Sequence, residues 1–180
     1  MGYPTVEKFD KVFIQRTKEI LDGNFSDYDF TLLINCLMGL LVLPNERKSK
    51  HFRREHLNQT IDTFPEPIRN IFVENQVVYY QDEDQKEKQM SKCAFFTNKG
   101  KKKSASPVPL SELLGKLRNA IAHFNIKPTK SSDDYKWEGI IVKNIFFNNE
   151  LKKSFTTMKL YLSKDEIKEL VAFIIKRYEQ

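Results

Sequence analysis

One apolar stripe constrains this chain more than any other feature. Leu110, Leu113, Leu114, Leu117 and Ile121 recur at three- and four-residue spacing, the period of a helix that buries one side. Pro109 and Ser111 supply start signals and Pro128 lies just past the natural end, so a helix is predicted over about 110–125. A helix with one dry face must be covered by other elements, and the rest of the chain has to supply them. Arg118 and Asn119 interrupt the stripe, and His123 follows near its end. Asn119 and His123 are four residues apart and therefore neighbours on the helix surface. Arg118 and His123 are five apart, which separates their Cα positions by about 140°. A long arginine can still lean towards a cleft beside the histidine.

Before this stripe the pattern is helical. Residues 5–22 place Val6, Phe9, Phe13, Ile14, Thr17, Ile20 and Leu21 on one face, ended by Gly23 and Asn24. A second helix is predicted over about 27–43, capped by Ser26 or Asp27, apolar nearly all round and stopped by Pro44-Asn45. Residues 45–60 are polar and basic, and Phe64-Pro65-Glu66-Pro67 reads as a rigid turn followed by a short apolar element. From Gln81 to Gln89 an exposed helix segment or loop is expected. Lys99 to Pro107 reads as a mobile basic loop, and residues 129–135 as a polar turn.

After the stripe the period changes. Trp137 to Phe147 and Phe155 to Leu162 read as two strands of a hairpin, turned at Asn148-Asn149, spanning about 137–162. Ser163-Lys164-Asp165-Glu166 is a capping box that opens a last helix over about 164–178. The expectation is a mainly α fold: an antiparallel helical bundle with a small β-hairpin inserted before the C-terminal helix, in a single domain spanning 1–180.

Composition narrows the class. Apolar residues make up 40% and charged ones 30%, a balance that suits a globular chain and excludes a disordered one. Cys36 and Cys93 are too few and too far apart for a disulfide framework or a zinc site. No metal or cofactor is expected. The run Leu32 to Leu43 is too short to span a bilayer, and the N-terminus has no signal-peptide pattern, so a cytoplasmic protein without membrane contact is expected. A net charge of +6 and a pI near 9.2 make an anionic partner plausible without requiring one. On that ground Lys101, Lys102, Lys103, Arg53 and Arg54 are candidate RNA-binding residues, although such runs are more often solvated surface.

The order Arg118-Asn119-Ala120-Ile121-Ala122-His123 resembles the Arg-polar-x-x-x-His motif of the HEPN (higher eukaryotes and prokaryotes nucleotide-binding) superfamily, in a late helix as that family has it. The resemblance implies a metal-independent endoribonuclease that cleaves RNA by attack of a 2′-hydroxyl. It also implies a homodimer whose two motif helices meet to form one cleft with two arginines and two histidines. Carried to this chain, Arg118 would hold the scissile phosphate, His123 would transfer the proton, and Asn119 would orient substrate or histidine. Ala120, Ile121 and Ala122 would leave room for close helix contact. Toxin–antitoxin and antiphage-defence settings, with an antitoxin or nucleotidyltransferase partner, follow from the same likeness. The alternative it leaves open is a non-catalytic module that binds a nucleotide or a partner protein.

The residues suit that chemistry on their own terms. A guanidinium never loses its charge and offers a planar fork of donors to a phosphate. An imidazole exchanges a proton near neutral pH. Yet one histidine cannot readily serve as base and acid on opposite sides of a phosphorus atom. The same residues have structural uses too: Arg118 could pair with an acidic neighbour, and His123 could close the helix C-terminus. His51 and His56 match no metal-binding spacing.

Overall fold

The computed structural model describes residues 15, 17–20, 22–23, 29–46, 58–81, 86–130 and 137–178. In chain order these form helix α1 (Asp29–Glu46), helix α2 (Glu66–Ile71), strand β1 (Val77–Gln81), strand β2 (Glu87–Ser91) and strand β3 (Cys93–Phe96). Strand β4 (Lys102–Lys103), helix α3 (Leu110–Ala122), strand β5 (Ile126–Lys130), strand β6 (Trp137–Asn148), strand β7 (Lys153–Ser163) and helix α4 (Lys164–Tyr178) complete the order.

All seven strands join one antiparallel sheet in the order β2-β1-β5-β6-β7-β3-β4. The expectation of a mainly α bundle with a small hairpin is therefore wrong: the fold is mixed α/β, and the hairpin is the centre of a sheet rather than an insert. Strand β7 alternates over Met158–Leu162, whereas β6 buries Ile140, Ile141 and Val142 in succession. The outer strands β2 and β3 show no alternation. Cys93–Phe96 is buried almost throughout, and Glu87–Ser91 is exposed except at Met90. Neither shows a period of two, because their extended state comes from pairing with neighbours rather than from local preference. Of the stretch 81–89, expected as exposed helix or loop, Gln81 and Glu87–Gln89 are strand, with Val77 opposite Ser91 and Gln81 opposite Glu87. Pro128, expected as a stop, lies inside β5 opposite Ile140. Its missing N–H is tolerated because β1 pairs with β5 only at Gln81 and Lys130.

Helices α3 and α4 lie on one face of this sheet, and α1 crosses both as a further layer. The core is continuous across those layers, from Leu37 and Leu40 of α1 through Leu113 and Leu117 of α3 to Val142, Leu160 and Phe95 of the sheet. The capping box forms as two reciprocal bonds, Ser163 N–H donating to Glu166 Oε2 (2.9 Å) and Glu166 N–H to Ser163 Oγ (3.2 Å). Glu166 also pairs with Lys92, which ties the start of α4 to the turn between β2 and β3. Helix α1 runs on through Pro44 to Glu46, past the stop expected at Pro44-Asn45, with Pro44 supplying no N–H to the last turn. Pro67 sits in the first turn of α2, where its lost N–H has no intrahelical partner anyway.

The segment expected as a mobile basic loop is anchored. Phe95 and Phe96 pair with Lys103 and Lys102, and Ala105 N–H donates to Glu74 Oε2 at 3.0 Å. Gly100 makes the turn possible at φ 78°, a left-handed conformation that other residues adopt at a cost. Both cysteines are free and buried; burial chiefly pushes the Cys93 thiol up to about 12, so it stays protonated. No described helix is long and apolar enough to cross a membrane. Residues 15, 17–20 and 22 are helical, whereas the rest of the helix expected over 5–22 and the caps at Ser26 and Asp27 lie outside the described residues.

Candidate active site

Helix α3 starts after Pro109 and buries Leu110, Leu113, Leu114, Leu117, Ala120 and Ile121. With that face against α1 and β6, Arg118 and Asn119 are left half-buried on its flank and His123 exposed at its end. Arg118 Nη1 donates to Asn119 Oδ1 at 2.8 Å. One backbone step later, the Asn119 carbonyl accepts from the His123 N–H at 3.1 Å. Asn119 thus fixes the guanidinium with its side chain and the histidine backbone with its main chain. Its side chain is oriented towards the arginine, whereas the family resemblance implied substrate or histidine.

The helix then ends in a tight double closure. Asn125 N–H donates to the Ala120 carbonyl at 2.8 Å and Phe124 N–H to the Ile121 carbonyl at 3.0 Å. This is the Schellman arrangement, which needs a left-handed residue just past the cap. That residue is usually glycine; here it is Phe124, at φ 53°. A bulky side chain in that conformation costs roughly 1–2 kcal/mol. The ring gains no burial in return, being 80% exposed. What holds the turn is backbone: besides the two closures, Lys143 N–H donates to the Asn125 carbonyl at 2.9 Å, docking the helix end on β6. Strain of this kind concentrates at functional positions, and this instance adjoins His123.

Ala120 and Ile121 are 0% and 1% exposed, so they serve the chain's own core. They are not the helix-contact surface that the resemblance suggested for them. Ala122, His123 and Phe124 are the exposed residues at this end, with Ile145, Phe146 and Phe147 of β6 exposed further along the strand.

Of the candidate basic residues, Arg53 and Arg54 lie outside the described residues, as do His51 and His56. Lys101, Lys102 and Lys103 fall at the other end of α3. Lys103 Nζ bonds Glu112 Oε1 in the first turn of the helix (2.6 Å), and Lys116 reaches the same oxygen at 3.5 Å. Burial alone would raise the Glu112 carboxyl, but the hydrogen bonds and charges of the two lysines hold it below its usual range. Between Glu112 and His123 lie about 16 Å of helix at 1.5 Å per residue.

Three lysines outside that set lie on β5, β6 and β7, and the backbone N–H of one, Lys143, bonds the Asn125 carbonyl two residues past His123. Lys143 sits directly opposite Lys159, and Lys127 opposite Ile141, all on the sheet face turned away from the helices. Burial and then the charge of Lys143 lower the Lys159 ammonium. Like charges facing across a ladder are destabilising, so this pair costs stability where it stands. The alternation of Phe155–Leu162 marks Lys159 as outward-facing, but only the strand register brings Lys143 opposite it. Among the described residues no three His, Cys, Asp or Glu side chains assemble as a metal site. No curated protein and no solved structure matches this chain. A family model does match, over residues 1–180, and by it the chain belongs to the HEPN pEK499 p136 family.

Proposed function

We propose that the protein is a metal-independent endoribonuclease that works as a homodimer. The observation that carries this reading is the end of α3, where an exposed His123 follows a hydrogen-bonded Arg118–Asn119 pair on a helix whose opposite face is buried. In the proposed reaction His123 takes the proton of a ribose 2′-hydroxyl, and that oxygen attacks the adjacent phosphorus. The bond to the 5′-oxygen breaks, leaving a 2′,3′-cyclic phosphate and a 5′-hydroxyl. Arg118 offsets the charge that grows on the non-bridging oxygens. The leaving oxygen needs a proton from the opposite side, which His123 of a second copy would give. The exposed ring of Phe124 favours a surface that a second copy covers, and Lys127, Lys143 and Lys159 favour an approach for the RNA backbone.

A toxin or antiphage-defence role, restrained by an antitoxin or modified by a nucleotidyltransferase, is the setting we infer for such an activity. The test is purified protein incubated with mixed RNA in EDTA. Cleavage should persist, leave cyclic phosphate ends, and vanish in His123→Ala. RNA binding without turnover in both proteins would instead favour the non-catalytic binding module.

A further inference from the structure

An edge strand presents unpaired N–H and C=O groups, and this sheet guards its edges unequally. The outermost strand β2 carries Glu87 and Lys88, and β4 at the other margin is only Lys102–Lys103. Charge and short length are the usual protections against pairing with another chain. A further edge opens in the middle of the sheet. Strand β6 pairs with β7 as far as Asn148, but its register with β5 reaches only to Val142, opposite Ile126. Beyond that, the Lys143 N–H bonds the Asn125 carbonyl. Past Lys143 no strand among the described residues covers β6 on that side.

This edge has no guard. Ile145, Phe146 and Phe147 are 44%, 39% and 52% exposed, and none carries charge. Main-chain groups along a strand point to alternate sides. Because Lys143 faces β5, the N–H and C=O of Ile145 and Phe147 face the open side. The helix surface that the family resemblance implied for contact between copies is not free, since Ala120 and Ile121 are buried. Charge sets the direction of a self-pairing. Lys143 precedes the open segment and Glu150 follows it, both exposed. Two copies laid antiparallel bring each lysine towards the other's glutamate, whereas parallel copies would oppose like charges.

We propose that the open edge of β6 pairs antiparallel with the same segment of a second copy, about a twofold axis at Phe147. Each Phe147 then meets its counterpart in a hydrogen-bonded pair, and Ile145 lies opposite the partner's Asn149. An axis nearer Lys143 would drive the partner's turn into Asn125. The contact is isologous, so it closes at two copies instead of propagating. It gives the homodimer proposed above its interface and rests on that reading only for the second copy, using no residue of the Arg118–His123 end.

The experiment is sedimentation equilibrium of the full chain and its variants. Wild type should be dimeric at micromolar concentration. Phe147→Lys should weaken the dimer about tenfold or more, as loss of a central aromatic anchor does, while Tyr79→Lys, at an exposed position on β1, leaves it unchanged. Phe147→Cys should cross-link two copies on mild oxidation. A hydrogen-bonded pair sets its Cα atoms about 5.5 Å apart, within disulfide reach, and both native cysteines are buried. If circular dichroism shows Phe147→Lys unfolded, the cross-link decides. A dimer that neither weakens with Phe147→Lys nor cross-links through Phe147→Cys would overturn the proposal and leave the homodimer reading standing. A wild type that stays monomeric throughout the micromolar range would overturn both. Dimers that respond as expected but cut no RNA would uphold the interface and sink the cleavage reading instead.

Discussion

The two ends of helix α3 are built on opposite terms. At its start, Glu112 gathers Lys103 and Lys116 around one carboxylate, and Leu110 and Leu113 are buried beneath. Every interaction there links the helix to its own fold. At its finish, Arg118 is held by the next residue's side chain, His123 is exposed, and Phe124 stands in a strained left-handed turn with its ring in solvent. The comparison teaches that one helix is tied into the fold by charge pairs at its start and leaves an imidazole and a phenyl ring exposed at its end.

The sharpest way to break that contrast is His123→Ala. RNA cleavage is expected to fall by about 10²–10⁴-fold, the scale of a lost proton-transfer group. Thermal stability should move by less than about 0.5 kcal/mol, because the imidazole is exposed. A melting temperature lowered as far as a core substitution lowers it would show the histidine to be structural instead.

Glu112→Gln probes the other end. It should leave cleavage intact and lower stability by roughly 0.5–1 kcal/mol, since the carboxylate is about a third exposed and solvent screens the pair. The pH dependence has a definite sign. The folded carboxyl lies below its unfolded value, so its contribution is present above the unfolded carboxylate range and is lost as pH falls through the folded value. Denaturant melts of the Gln variant across that acidic window should show a flatter profile than wild type. Equal slopes would mean that Glu112 is not the coupled group.

Phe124→Gly removes the left-handed strain but adds freedom to the unfolded chain, for a net gain of roughly 0.5 kcal/mol. Urea unfolding is expected to shift to higher midpoint while dimerisation or cleavage weakens. If both midpoint and activity rise, the phenylalanine has no use at that position. The smallest effect belongs to Lys159→Glu, which converts a like-charge pair with Lys143 into an opposite one. A gain of roughly 0.2–1 kcal/mol is expected, together with weaker RNA binding and a shallower dependence on salt. An unchanged salt slope would place the RNA elsewhere.

What could be read in advance followed from short-range physics. The leucine stripe marks α3 because helix periodicity is local, and Ser163–Glu166 marks the start of α4 because a capping box closes within four residues. The alternation of Phe155–Leu162 likewise agrees with strand β7. The flanking strands were not legible as a sheet. Val77 to Tyr80 are good strand formers, but the chain beyond them is nearly all charged or amide, and Cys93–Phe96 shows no alternation because it is buried on both faces. Arg118, Asn119 and His123 could be named from their spacing, but not the bond that turns Asn119 towards the arginine.

By itself the sequence determined which residues carry charge, proton chemistry and apolar surface, and the family to which their order belongs. The tertiary structure alone decided that β1, β2, β3 and β5 are strands, that Lys143 faces Lys159, and that β5 leaves the end of β6 uncovered. The reason is the range of the forces involved: periodicity and capping act within a few residues, whereas strand pairing joins segments far apart in the chain and overrides weak local preference.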